Sequence, residues 1–141
     1  MDNTKLLNYL ALAKKGRLAE LGEEPVGAAA RALHAHLILV ASNASDHTWR
    51  RAKSFAAGTD QQCVRLGYTK DELGAAIGRQ SLAVAAITDA AMALAMLQSL
   101  PQTQQTMDAA AVLADKVKRQ NQRQAESKAH QRNRRSGLKK K

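Results

Sequence analysis

The chain has 141 residues, 45% of them hydrophobic, which suffices for one domain with a buried core. Aromatics make up only 3%, which argues against RNA-recognition sheets and single-strand binders that stack bases on aromatic platforms, and the single cysteine, Cys63, excludes a disulfide framework or a cysteine-based zinc cluster. The formal net charge is +10, yet residues 1–115 hold 11 Lys and Arg against 11 Asp and Glu, so the whole excess sits on residues 116–141, where 11 Lys and Arg face Glu126 alone.

No apolar run approaches the ~20 residues that span a bilayer. The start, Met1-Asp2-Asn3-Thr4-Lys5, is polar and has no signal core. A soluble, cytoplasmic protein with no membrane partner is expected.

Leu6, Tyr9, Leu10 and Ala13 recur with helical spacing, and Gly16 should end that helix near Lys14-Lys15. Leu18–Leu21 is a short strand candidate. Pro25 suits the first position of a second helix, and Glu23 and Glu24 suit its positive end. That helix should bury Val26, Ala29, Ala30 and Leu33. Leu37–Ala41 is a continuous apolar run, as in a central strand buried on both faces. Ser45 can cap a third helix carrying Trp49, Ala52 and Ala56, which Gly58-Thr59-Asp60 breaks.

Gln62–Arg65 reads as a short strand. Thr69-Lys70-Asp71-Glu72 has the form of a capping box before Leu73, Ala76 and Ile77, with Gly78 as the stop. Leu82–Thr88 reads as the fourth strand. Asp89 can cap a fifth helix with Ala93, Met96, Leu97 and Leu100 on its core face, and Pro101 closes it. Strands alternating with helices predict an α/β fold: a three-layer α-β-α sandwich with a mixed four-stranded sheet over residues 1–100. Residues 101–141 form a Gln/Lys/Arg-rich extension. Ala110, Leu113, Ala114 and Val117 could make one more amphipathic helix there. From residue 118 only Ala125, Ala129 and Leu138 are apolar, so a helical or disordered basic tail is expected, ordering on binding.

Several of these stretches, in register, resemble the L-seven-Ae/L-thirty-e ribosomal protein family, and within it the small bacterial YlxQ-like branch. They are Leu10–Arg17 at the end of the first helix, the Gly22 turn, Asn43-Ala44-Ser45 with Thr48, and Leu73–Arg79 running ungapped to Ile87-Thr88-Asp89. The resemblance covers about residues 4–100. It implies an α-β-α sandwich that binds structured RNA, often a kink-turn, through the loop before the second helix and the loop before the last strand. The family's Gly-x-Asn-Glu-x-x-Lys signature falls on Gly22–Ala28. Gly22 matches, while Glu24, Pro25 and Ala28 stand at the Asn, Glu and Lys places. An ionised Glu accepts hydrogen bonds but cannot donate them as an Asn amide does. The missing Lys removes a phosphate contact, and Pro25 removes a backbone donor.

The RNA-binding candidates are therefore Lys14, Lys15 and Arg17, then Gly22, Glu23, Glu24 and Val26, and before the last strand Arg79, Gln80, Ser81 and Leu82. In the tail they are Lys116, Lys118, Arg119, Arg123, Arg132, Arg134 and Arg135. A polycationic tail suits polyanions, since binding phosphates releases counterions; a solvated, solubilising tail is the plain alternative. Lys14 and Lys15 equally suit the negative end of a helix. Arg50, Arg51 and Lys53 read as a solvated face.

Ser45-Asp46-His47 has the letters of a triad, but neighbours at a helix start cannot point at one another. Gly22-Glu23-Glu24 lacks the Gly-Lys-Ser/Thr ending of a phosphate loop. His34 and His36 have no acid or cysteine at metal-ligand spacing, and Cys63 reads as a small core residue. The expectation is a non-catalytic protein without cofactor or metal, whose partners are ribosomal or other structured RNA and ribonucleoprotein proteins. The alternative is a protein-interaction module that has lost kink-turn recognition.

Overall fold

The computed structural model describes residues 4–139, with side chains through Ala129. Helix α1 (Lys5–Lys15) is followed by β1 (Ala19–Leu21), α2 (Glu23–Arg31), β2 (Leu37–Val40), α3 (Asp46–Ala56), β3 (Gln62–Arg65), α4 (Lys70–Ala76), β4 (Val84–Ile87), α5 (Ala90–Gln98) and α6 (Gln104–Lys139). The strands form one sheet in the order β1-β4-β2-β3. β4 runs antiparallel to both β1 and β2, and β3 runs parallel to β2, so the fold is α/β with a mixed four-stranded sheet.

β2 and β4 are buried at every position because both faces of the sheet are covered. α2 and α3 pack together on one face, and α1, α4, α5 and α6 pack with one another on the other side. Both central strands are continuous apolar runs, as two covered faces require. At about 25 cal/mol for each Å² of apolar surface removed from water, these side chains and the helical Leu6, Leu10, Leu73, Met96, Leu97 and Leu113 packed with them supply the apolar drive to fold.

The local signals act as expected at three helix starts. Ser45 accepts from Thr48 N, Thr69 and Glu72 close a reciprocal capping box, and Asp89 accepts from Met92 N. α2 begins two residues earlier than Pro25 suggests. Gly22 is its N-cap at φ 99°, ψ 163°, a conformation open to glycine, and Pro25 falls third in the first turn, where its missing N–H has no helical partner to lose.

Beyond Pro101 the chain continues as α6, whose first turns pack against the body. Thr103 and Thr106 cap the start of α6 reciprocally, Thr106 N donating to Thr103 Oγ1 and Thr103 N to Thr106 Oγ1. Ala109 and Leu113 then enter the core, packing α6 along α5 and β3. Lys116 ends this docked part. Residues 118–139 are helical too, one of the two states expected of the basic tail. The docked turns have already met the cost of nucleation, and Gln, Lys, Arg, Ala and Glu propagate a helix well.

Candidate functional site

β1, β2 and β3 point the same way, so the loops after them gather at one edge of the sheet with the loop that enters β4. Ligands of open α/β sheets bind at such an edge. Backbone bonds knit the loops together. Gly22 N donates to Val84 O at 3.0 Å, Ala41 N to Ala83 O at 2.9 Å, Ser42 N to Tyr68 O at 2.7 Å, and Leu82 N to Lys70 O at 2.9 Å. Asn43 Oδ1 accepts from Lys70 N at 2.8 Å. The Gly22 turn and the Gly78–Leu82 loop, far apart in sequence, thus meet beside the start of β4.

Lys14 joins this edge from below: its Nζ donates to Ile77 O at 2.6 Å, tying the end of α1 to the end of α4. Lys15 and Arg17, the latter in the left-handed region at φ 60°, lead instead into the start of β1 at the other end of the sheet, where Leu18 O accepts from Thr88 N, so that of this cluster Lys14 alone is tied next to the Arg79–Ser81 loop. Gly74 sets how closely that loop lies on α4. A Cβ there would stand 2.6 Å from Ser81 Cα.

The candidates divide by what their side chains reach. Glu24, Arg79, Gln80 and Ser81 are exposed on the edge. Val26 and Leu82 are core side chains, 0% and 4% exposed, because the positions that follow each turn are the first apolar ones of α2 and of the strand. The backbone N–H of each is also bonded within the fold, Val26 N to Gly22 O and Leu82 N to Lys70 O. Glu23 is half-buried and committed within the fold: Ser45 Oγ donates to Thr48 Oγ1, which donates to Glu23 Oε1 at 2.6 Å, and Arg51 lies 3.6 Å from the other carboxylate oxygen. It pins the start of α2 to the start of α3.

The edge is not basic. The first turns of α2, α3 and α4 carry Glu23 and Glu24, Asp46, and Asp71 and Glu72, which offset the positive helix ends that would draw phosphate. Trp49, half-buried on α3, already engages cations of the fold, with Lys53 Nζ 5.1 Å and Arg65 Cζ 5.6 Å from its ring.

The basic segment leaves from the opposite end. α6 starts at the loop edge, where Gln105 Nε2 donates to Cys63 O, and runs antiparallel to β3. At the foot of the sheet Lys116 Nζ meets Asp60 Oδ1 at 3.1 Å and His36 Nδ1 at 3.3 Å, just before β3 and β2 begin. Lys116 is 8% exposed, so it is a docking residue of the body rather than a free cation of the tail. Past it, Lys118, Arg119 and Arg123 are exposed, and side chains remain exposed through Ala129. From Val117 to Lys139 the helix extends about 35 Å, at about 1.5 Å per residue, away from the Gly22 turn. The side chains of Arg132, Arg134 and Arg135 lie outside the described residues.

The foot also holds polar residues that no local pattern announces. Gln61, 3% exposed, accepts from Ala35 N at 3.0 Å and donates to Ala30 O at 3.2 Å, joining the ends of α2 and α3. Desolvation lowers the His36 pKa from its ordinary 6.5, with the Lys116 charge adding to the effect. Burial pushes the Cys63 thiol up to about 12, which disfavours the reactive thiolate at neutral pH. Among the described residues, no group of three or more His, Cys, Asp or Glu could hold a metal, and no helix is long and apolar enough to cross a membrane.

No family model matches the chain, and no curated protein does. Among solved structures it is similar to a protein of unknown function from Bacillus halodurans, with 26% identity and a TM-score of 0.64 over 68% of this chain and 96% of that one. The likeness supports the α/β fold and says nothing about activity.

Proposed function

We propose that this protein is a small, non-catalytic RNA-binding protein of the cytoplasmic translation machinery, similar in design to the L-seven-Ae/L-thirty-e family, with RNA and ribonucleoprotein proteins as its partners. The observation that carries this reading is the segregation of charge: a neutral body, and a net +10 confined to residues 116–141, most of it on the part of α6 that continues past the body. Phosphate neutralisation by such a helix supplies affinity without reading sequence. The Gly22 and Gly78–Leu82 loops, joined at one edge, supply the place for shape recognition. Because the edge carries five carboxylates at its helix starts, the affinity rests on α6 and the edge contributes selectivity.

Salt dependence tests this. With about five phosphate contacts, log affinity for single-stranded RNA should fall against log salt with a slope near about −3.5. A chain ending at Val117 keeps the docked part of α6 and should lose most of that slope. An unchanged slope would remove the role given to α6. A second reading, a protein-docking module, is favoured by Glu24, Pro25 and Ala28 at the changed signature positions. Equal, weak binding of a kink-turn RNA and a matched duplex supports it, and a marked preference for the kink-turn supports the first. Glu24→Asn, Pro25→Glu and Ala28→Lys together should then raise kink-turn affinity.

A further inference from the structure

Where α6 clears the body, the face that was buried turns cationic. Ala109, Leu113 and Lys116 lie on one helical face and contact the body, and the same face continues as Arg119 and Arg123 at helical spacing. Between this overhang and the foot of the sheet lies an open cleft of about 200 Å³, lined by Lys116, Arg119 and Arg123 from α6 and by Leu33, His36 and Asp60 from the body.

Two features mark the cleft as more than a gap beside a helix. Lys116 is buried and held by Asp60 and the His36 ring, which fixes the overhang at its root. Arg119 is oriented by Asp115 at 3.2 Å. These two carboxylates balance Lys116 and Arg119, leaving Arg123 as the surplus charge and several guanidinium N–H groups free to donate. Opposite them stands Leu33, 62% exposed and at φ 62°, a left-handed position that a leucine occupies at a cost and that glycine would fill better. An exposed apolar residue in a strained conformation at the mouth of a cationic cleft suits a ligand with an anionic group and a less polar face beside it. The carbonyls at the end of α2 would repel an anion, but Leu33 N and His34 N already bond them.

We propose that this cleft is a phosphate site, which in the full assembly seats a phosphodiester of the bound RNA between Arg119 and Arg123 with the adjoining sugar against Leu33. The proposal rests on the RNA-binding reading and adds a defined contact at the end of the body opposite the Gly22 edge.

The histidines report on the two ends independently, His36 at the cleft and His47 at the start of α3 on the loop edge. In the full-length protein at fixed pH, a short single-stranded RNA should shift the His36 ring resonances. Arg119→Gln with Arg123→Gln should reduce the salt slope by about 1.4, two contacts at about 0.7 each. Lys118→Gln with Lys128→Gln, equal in charge but off that face, should reduce it less. RNA that binds and moves His47 but not His36, or equal slope losses in the two double variants, would overturn the cleft while leaving RNA binding intact. RNA that binds at neither end would defeat the underlying reading itself. Inorganic phosphate that moves His36 when RNA does not would keep the phosphate site and assign it to a small anion.

Discussion

Leu113→Ala asks whether the first turns of α6 belong to the folded body. Leu113 is 0% exposed and contributes to the single core, although it lies beyond the point where the composition shifts to Gln, Lys and Arg. The substitution removes three buried carbons, or about 2.4 kcal/mol at ~0.8 each, and the cavity left behind brings the cost to about 3 kcal/mol within the usual range of 2–5. With a urea slope of about 2 kcal/mol/M, the unfolding midpoint should fall by about 1.5 M. Trp49 fluorescence is the right probe, because Trp49 lies on α3, across the sheet from α6. If α6 is part of the cooperative unit, the Trp49 transition moves by the full amount with the slope unchanged. Leu12→Ala, at a position 56% exposed, should stay within about 0.5 kcal/mol of the parent. A Leu113→Ala midpoint no different from that of Leu12→Ala would show that α6 is an appendage. The direction assigned to the basic helix, and the cleft at its root, would then lose their support.

Gly74→Ala should cost about 1–3 kcal/mol by overpacking, since the added Cβ meets the Ser81 and Arg79 backbone, at 2.6 Å and 2.8 Å, rather than a side chain that can swing away; a thermal midpoint equal to that of the parent would contradict the close approach. The lowered His36 pKa means that the unfolded chain binds a proton more readily than the native one. Stability should therefore be unaffected by this group above about pH 6.5 and fall as pH drops from 6.5 towards the native value. His36→Gln should flatten that part of the pH–stability curve, and an identical slope in the variant would refute the assignment. Raising the Cys63 pKa from 9.0 to about 12 cuts its thiolate fraction about 1000-fold at pH 8, so thiol labelling should be slow in the native protein and fast in denaturant. Native labelling at the denatured rate would place Cys63 outside the packed sheet.

Much of the architecture was legible because its signals are local. Ser45, Thr69 and Asp89 cap their helices through bonds three residues long, and a chain carries such information without knowing its fold. Leu37–Val40 and Val84–Ile87 announce strands covered on both faces by their unbroken apolar character. Pro25 misled by two residues, since any position of the first turn tolerates proline. Of the candidate site, the sequence marked the Gly22 turn, the Arg79–Ser81 loop and the charge of residues 116–141.

What the chain determined by itself, then, is its helices and strands, its neutral body and the location of its positive charge, all of which follow from neighbours a few residues apart. Tertiary structure alone decided that Glu23 is spent on Thr48, that Val26 and Leu82 face inward, and that Lys116 reaches Asp60 and His36 across 80 positions of His36–Lys116 separation. It also decided that the basic helix departs from the end of the sheet opposite the glycine turn. Direction and partnership of this kind arise from how the α6 core face seats along β3, a contact between residues whose spacing in the chain carries no trace of it.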